Sequence, residues 1–338
     1  MILILARDSD SAADSVESLL AARGVGYLRF NHARFPASAT VSLRYRDGAP
    51  VSGTLVAEGV RYRLADVSAI WDRCPDPPAV PAGVTAGMAQ SSIRHECRHF
   101  IEDAWQTLAC RWLPAPPDAV QRAGLLTQAK AAASLGFDLP PTLISNHPAA
   151  FLEFYRRHEG RIVSRVFDGG LRGREPLEEA QALRVFTKAV SSRDPGYAAS
   201  IRYSPVVFQA WVPEQRELQV AVVGRQVFAA EWLSTHGTQR AACRPYCLPQ
   251  EVEKRCVSIV ERLGLNYAVI DLVLTPDGRH VFLELHARGD WLGLEARTGL
   301  PIGRAICDYL AASDQQSAIS LGGYRHEAYG PAARKAER

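Results

Sequence analysis

The sequence predicts an α+β protein that opens with an α/β domain, and three observations carry that prediction. Apolar runs alternate with helically spaced residues through 1–115, hairpin signals crowd 205–286, and a proline-rich joint at 114–117 separates the two textures. A chain of 338 residues, at roughly 150 per domain, has room for about two domains.

MILILA reads as a buried strand that stops at Arg7 and Asp8, too short and too lacking in a basic lead to be a signal peptide. Ser9 to Arg23 sets Ala13, Val16, Leu19 and Leu20 at helical spacing, and Gly24 closes that helix before the strand VGYLRF. VSLRYRDGAPVSGTLVAEGVRYRL is a hairpin-rich segment with Asp47-Gly48 as its turn. VSAIWDR is a further strand, ended by Pro75, Pro77 and Pro78, and helical spacing occupies 91–110. Beyond the joint, 119–135 reads as one helix rich in Ala and Leu, and a strand entered through Pro140 and Pro141 follows. Residues 148–158 are helical, and RIVSRVF is a strand running into the turn DGGLRG. PVVFQAWV, ELQVAVV and QVFAAEWL are successive strands, 249–263 is a helix ended by Gly264, and 266–286 is a hairpin turning at Pro276-Asp277-Gly278. A last helix covers 301–312, and the tail beyond 325 reads as mobile.

Composition narrows the function classes. A chain 47% hydrophobic and 22% charged is globular rather than fibrous or disordered. A net charge of +3 is too small to recruit nucleic acid by bulk electrostatics. No apolar run reaches the ~18 residues that span a bilayer, so no membrane partner is expected and the location is read as cytoplasmic. The seven cysteines are scattered without C-x-x-C and read as reduced thiols.

The strongest chemical signal is the 266–286 hairpin, where Asp271 and Glu284 sit among apolar neighbours on its two strands. Pairing across the turn would bring both carboxylates to one end of a sheet. Two acids in apolar surroundings are costly without a positive partner, and Mg²⁺ suits hard oxygen donors, whereas two solvent-facing acids on a half-exposed sheet are the plainer reading. His95 and His99, four apart on a helix, are a possible transition-metal pair or part of a solvated face. Cys243, Cys247 and His236 lack a fourth ligand and read as loop residues. Asp168, Gly169, Gly170 and Gly173 form a glycine turn or a phosphate cradle, and Arg172, Arg174 and Arg184 an ordinary basic surface or a lip for an acidic peptide.

A family resemblance extends over about three-quarters of the chain. LGLNYAVIDLVLTPDGRHVFLELHARGDWLGLEARTGLPIGRAICDYL resembles the carboxyl-terminal part of ATP-grasp ligases, most of all the maturases of microviridin-type peptides (graspetides). QAKAAASLGFDLPPTLISNHPAAFLEF resembles the start of their central domain, PVVFQAWVPEQRELQVAVVGRQVFAAEW their adenine hinge and following strands, and MILILARDSD, RFNHARFP and IWDRCP their amino-terminal domain. The resemblance implies an ATP-grasp fold with a pre-ATP-grasp domain at 1–115, a central domain at 116–200, a carboxyl-terminal domain at 201–325 and a tail at 326–338. It implies ATP and Mg²⁺ as cofactors. The implied partners are a ribosomally made precursor peptide and a partner ligase or second copy. The implied reaction activates a carboxylate as an acyl phosphate and joins it to an amine or hydroxyl.

Carried over residue by residue, the resemblance assigns catalytic roles to Arg165, Arg240 and Arg288. It assigns nucleotide contacts to Lys130, Arg165, Gly169, Gly170, Gln209, Trp211, Val212 and Glu217, and metal ligation to Asp271, Glu284 and His286. The chain departs from the family pattern at several of these places. Leu125 stands where a phosphate lysine is expected, with Gln128 and Lys130 flanking it, and Arg165 replaces a second lysine. Phe208-Gln209-Ala210 replaces F-Q-E, Gln219 replaces an arginine, and His286 replaces a metal-binding asparagine. Arg288 is positioned to pair with either carboxylate in place of a metal. The alternative function is therefore a catalytically degenerate relative that binds a peptide or partner enzyme, or acts without ATP.

Overall fold

The computed structural model describes residues 1–165, 188–189, 200–213, 216–235 and 239–318. It divides into two units, Met1–Pro117 with the segment after Pro301, and Asp118–Leu300.

The first unit is built on a parallel sheet of order β2-β1-β6-β7, with β1 Ile2–Leu5, β2 Tyr27–Phe30, β6 Ala69–Asp72 and β7 Arg111–Leu113. Every residue of β1 is buried, as expected of a central strand covered on both faces. Helix α1 (Ser11–Ala22) starts at Asp10, whose side chain accepts the Ala13 N–H, and buries Ala12, Ala13, Val16 and Leu20. A separate antiparallel sheet joins β3 (Ala39–Arg46), β4 (Ala49–Ala57) and β5 (Val60–Arg63), and the β3–β4 turn puts Asp47 and Gly48 at positive φ, as its Asp-Gly sequence predicts. Helix α2 (Gly87–Gln106) buries Ile101, Ala104 and Trp105. Strand β7 falls between the helical spacing at 91–110 and the joint at 114–117, where the sequence reading placed no element, and its Trp112 and Leu113 are buried. The last helix, Ile302–Ala318, belongs to this unit, and the Cys307 thiol lies 3.7 Å from the Val16 carbonyl.

The second unit contains two antiparallel sheets. One, of order β10-β9-β11-β8, uses β8 Thr142–Ser145, β9 Ile162–Arg165, β10 Lys188–Ala189 and β11 Val206–Ala210. The other, of order β14-β13-β12-β15-β16, uses β12 Arg216–Val223, β13 Gln226–Thr235, β14 Gln239–Pro245, β15 Tyr267–Leu274 and β16 His280–His286. The helix expected at 119–135 is two helices, α3 (Pro117–Arg122) and α4 (Leu125–Ser134), with Gly124 capping the second. Helices α5 (Pro148–Arg157) and α6 (Gln250–Arg262) fall where helical spacing places them, and α7 (Leu292–Thr298) follows β16. Strand β14 was not foreseen. Among the described residues no helix is long and apolar enough to cross a membrane.

Candidate functional site

Register gathers the candidate residues. Asp271 on β15 pairs directly with Glu284 on β16 and, on its other side, with Gln219 on β12. Cross-strand partners share a face, and so do residues two apart, so Gln219, Asp271, Glu284 and His286 lie on one face of the five-stranded sheet. A β-bulge follows: Leu272 pairs with Phe282, leaving Leu283 as the extra residue. The bulge puts Phe282 and Glu284 on opposite faces although they are two apart. Phe282 is buried beside Phe137, with ring centroids 5.6 Å apart, while Glu284 turns to the polar cluster.

The cluster is continuous. The Gln219 Nε2 donates to Asp271 Oδ1 at 3.2 Å, and His286 Nε2 lies 3.2 Å from Asp271 Oδ2. The other ring nitrogen, Nδ1, is 3.8 Å from Glu284 Oε1. Glu284 in turn accepts a short charge-assisted hydrogen bond from Arg165 Nη2, from the end of β9 in the other sheet. Arg165 Nη1 donates to Gln209 Oε1 at 3.2 Å and reaches the Leu283 carbonyl at 3.5 Å. Gln209, 6% exposed, spends its amide nitrogen on Thr142 Oγ1 at 3.3 Å. One guanidinium thereby ties the two sheets together in a half-buried site.

Beside it lies a cavity of about 260 Å³ whose walls include Leu125, Ala129, Thr142, Ile144, Gln209 and Leu283. Its surface is mainly apolar, as a flat heteroaromatic ring would need, with Gln209 and Thr142 as polar edges. Leu125, at the position where a phosphate lysine is expected, is part of that wall.

The remaining predicted residues stand on α4, β12, β14 and the segments after β11 and β16. Lys130 is exposed on α4. Trp211 is 47% exposed just after β11, its N–H donating to the Arg161 carbonyl at 2.9 Å, and Val212 beside it is half-buried. Glu217 lies on β12, opposite Trp232 and Val273. Arg240 stands on β14, paired with Ser234, and Arg288 is exposed in the turn after β16. Arg165 places a guanidinium on Glu284. Asp168, Gly169, Gly170, Gly173, Arg172, Arg174, Arg184 and His236 lie outside the described residues. The His95 and His99 rings touch edge to face, 4.3 Å between centroids, on an exposed stretch of α2. Among the described residues no three His, Cys, Asp or Glu side chains are disposed to hold a metal ion.

Two supporting residues carried little sequence signal. Gln128 on α4 is 6% exposed and grips the β16 backbone from both sides: Nε2 donates to the Leu285 carbonyl at 2.9 Å, and Oε1 accepts the Leu285 N–H at 3.0 Å. Its second amide hydrogen goes to the Ala123 carbonyl at 2.8 Å. The other is Gly289, where a Cβ would fall 2.5 Å from Val269 Cβ and 2.7 Å from Val269 Cγ2. The Gly289 carbonyl accepts from the Tyr267 hydroxyl at 2.7 Å. Gly289→Ala is expected to destabilise the unit by about 1–3 kcal/mol through overpacking, read from the urea midpoint. An unchanged midpoint would show that the turn can move aside.

Residues 1–119 match the family model described as the MvdD pre-ATP grasp domain. Macrocyclase MdnC of Microcystis aeruginosa MRC, solved bound with precursor peptide MdnA, is 28% identical with a TM-score of 0.79, over 91% of this chain and 98% of that one. Macrocyclase MdnB of the same organism is 29% identical with a TM-score of 0.75, over 91% and 98%. Along its length the chain resembles the ATP-grasp ligases, and its first 119 residues match their amino-terminal domain. Its α+β architecture is the ATP-grasp fold preceded by a pre-ATP-grasp domain. A RiPP-associated ATP-grasp ligase of Chryseobacterium gregarium, solved with ADP and a leader and core peptide, shares that fold at 24% identity, with a TM-score of 0.79, over 92% of this chain and 96% of that one. Human N-acetylaspartylglutamate synthase A is 29% identical over 114 residues, 31% of this chain, and the match spans 29% of that relative.

The donor set around Asp271 mixes nitrogen with oxygen. Mg²⁺ takes a near-octahedral shell of oxygens, whereas here an imidazole stands between the two carboxylates and a guanidinium closes on one of them. As arranged, these residues do not fit Mg²⁺.

Proposed function

We propose that this ATP-grasp protein modifies a ribosomally made precursor peptide, joining a peptide carboxylate to an amine or hydroxyl. The observation that carries the reading is the likeness, along nearly the whole length of both chains, to a macrocyclase solved with its precursor peptide. In the reaction, the γ-phosphoryl group of ATP passes to a carboxylate oxygen, leaving ADP and an acyl phosphate. The amine or hydroxyl then attacks the acyl carbon, phosphate departs, and the nucleophile's proton is lost. The apolar cavity beside Gln209 suits the adenine ring, and Arg165, bonded to that Gln209, is a cation that an incoming phosphate could recruit. Mass spectrometry of a candidate precursor incubated with the protein and ATP tests the reading, the expected result being loss of one water per cross-link. ATP consumption without any peptide mass change would overturn the ligase assignment.

A second reading, a relative that binds peptide without turning over ATP, is favoured by two observations: the Arg165 guanidinium is already committed to Glu284, and Leu125 brings an apolar side chain to the cavity. Each charge-assisted phosphate contact is worth about 1.5–3 kcal/mol, so losing two of them weakens ATP binding by roughly two to four decades. Calorimetric titration with Mg-ATP is expected to give a dissociation constant no tighter than high micromolar. A low-micromolar constant would rule this second reading out.

A further inference from the structure

The mismatch between the carboxylate pair and a hard cation has its own cause in the geometry. Asp271 and Glu284 are direct cross-strand neighbours, an arrangement that repels unless positive charge is placed between or beside them. That charge comes from the chain itself. Arg165 sits on Glu284 from the neighbouring sheet, and its side chain and that of Glu284 are only 15% and 24% exposed, so the pair is poorly screened by solvent. The His286 ring occupies the gap between the two carboxylates, one nitrogen towards each, at 3.2 Å and 3.8 Å. Gln219 closes the far side by donating to Asp271. A divalent cation entering here must displace both the ring and the guanidinium, and the vacated guanidinium would keep only the Gln209 and Leu283 oxygens.

We infer that Arg165 and His286 stand in for a divalent cation at Asp271 and Glu284, so that the carboxylate pair is closed to metal in the folded protein. The inference rests on the ligase-type reading only in taking these carboxylates as the metal position, and its test reads metal rather than reaction. It also assigns Arg165 a positioning role, because the same contact that neutralises Glu284 holds the two sheets in register beside the cavity.

The probe is Mn²⁺ alone, titrated into the nucleotide-free full chain and followed by electron paramagnetic resonance. The wild type is expected to show only weak, millimolar-range binding that Asp271→Asn leaves unchanged. Arg165→Ala combined with His286→Asn is expected to bind Mn²⁺ about tenfold more tightly or better, and adding Asp271→Asn should abolish that gain. His286→Asn alone, which restores an amide oxygen while keeping the inter-sheet contact, supplies the same comparison should the double variant fail to fold. Micromolar Mn²⁺ binding by the wild type that Asp271→Asn abolishes would overturn the inference. So would a folded double variant with no gain. Neither outcome touches peptide modification, so failure here is distinguishable from failure of the ligase reading.

Discussion

Gln128→Ala is expected to lower the stability of the second unit by roughly 2–5 kcal/mol. The amide of Gln128 makes three hydrogen bonds in a buried setting, two of them to the Leu285 backbone. Among the described residues β16 is the outer strand of its sheet, so there the Leu285 N–H and carbonyl have no ladder partner on that side and depend on this side chain. Truncation leaves both unpaired and away from water, each at a cost of about 1–3 kcal/mol. Gln128→Glu is the discriminating companion, because its carboxylate can accept the Leu285 N–H but cannot donate to the Leu285 or Ala123 carbonyls. Urea unfolding followed by circular dichroism reads both variants. A midpoint for Gln128→Ala within error of the wild type would show that β16 is held otherwise. Since Leu285 separates Glu284 from His286, loosening it should also blur the carboxylate cluster.

The same residue shows how far the sequence could be read. A glutamine in an alanine-rich helix reads as surface. Its placement three and four residues before Ala131 and Ala132, both buried, was the available sign that it faces inward. The hairpin carrying Asp271 and Glu284 was legible because apolar strands and a Pro-Asp-Gly turn are local signals. The partner of Glu284 was not, because Arg165 is 119 residues away in sequence and belongs to another sheet. The extra residue at Leu283 was equally invisible, since a bulge is set by pairing and not by composition. Strands β7 and β14 were missed for a related reason: β7 has three residues, and β14 carries arginines and a cysteine instead of an alternating apolar pattern. Gly124, which divides the helix expected at 119–135, was visible but was outweighed by the surrounding Ala and Leu.

A second expected result concerns pH and the first unit. His32, just past β2, is 8% exposed, and its Nε2 accepts a hydrogen bond from the buried Trp105 Nε1 at 3.0 Å. Burial lowers the imidazole pKa from its ordinary 6.5 to about 4, against the opposing pull of the Asp72 carboxylate. Accepting from Trp105 also requires that this nitrogen carry no proton, so the hydrogen bond and the shift agree on a neutral ring. The sign of the pH effect follows from which state takes the proton first. Above 6.5 the ring is neutral whether folded or unfolded and contributes no pH dependence. As pH falls below 6.5 the unfolded chain protonates while the folded ring resists, so stability drops steadily until about pH 4, where the folded ring also titrates. Between pH 7 and about pH 4.5 the loss assigned to this one group is about 2–3 kcal/mol. His32→Gln keeps an amide oxygen for Trp105 and does not titrate, so it should lose that much less stability over the same interval. Trp105 fluorescence during urea unfolding reports the transition where the change occurs. Equal losses for wild type and variant would mean that the imidazole takes up its proton in the fold as readily as in the unfolded chain, and that the Trp105 contact is not the hydrogen bond described.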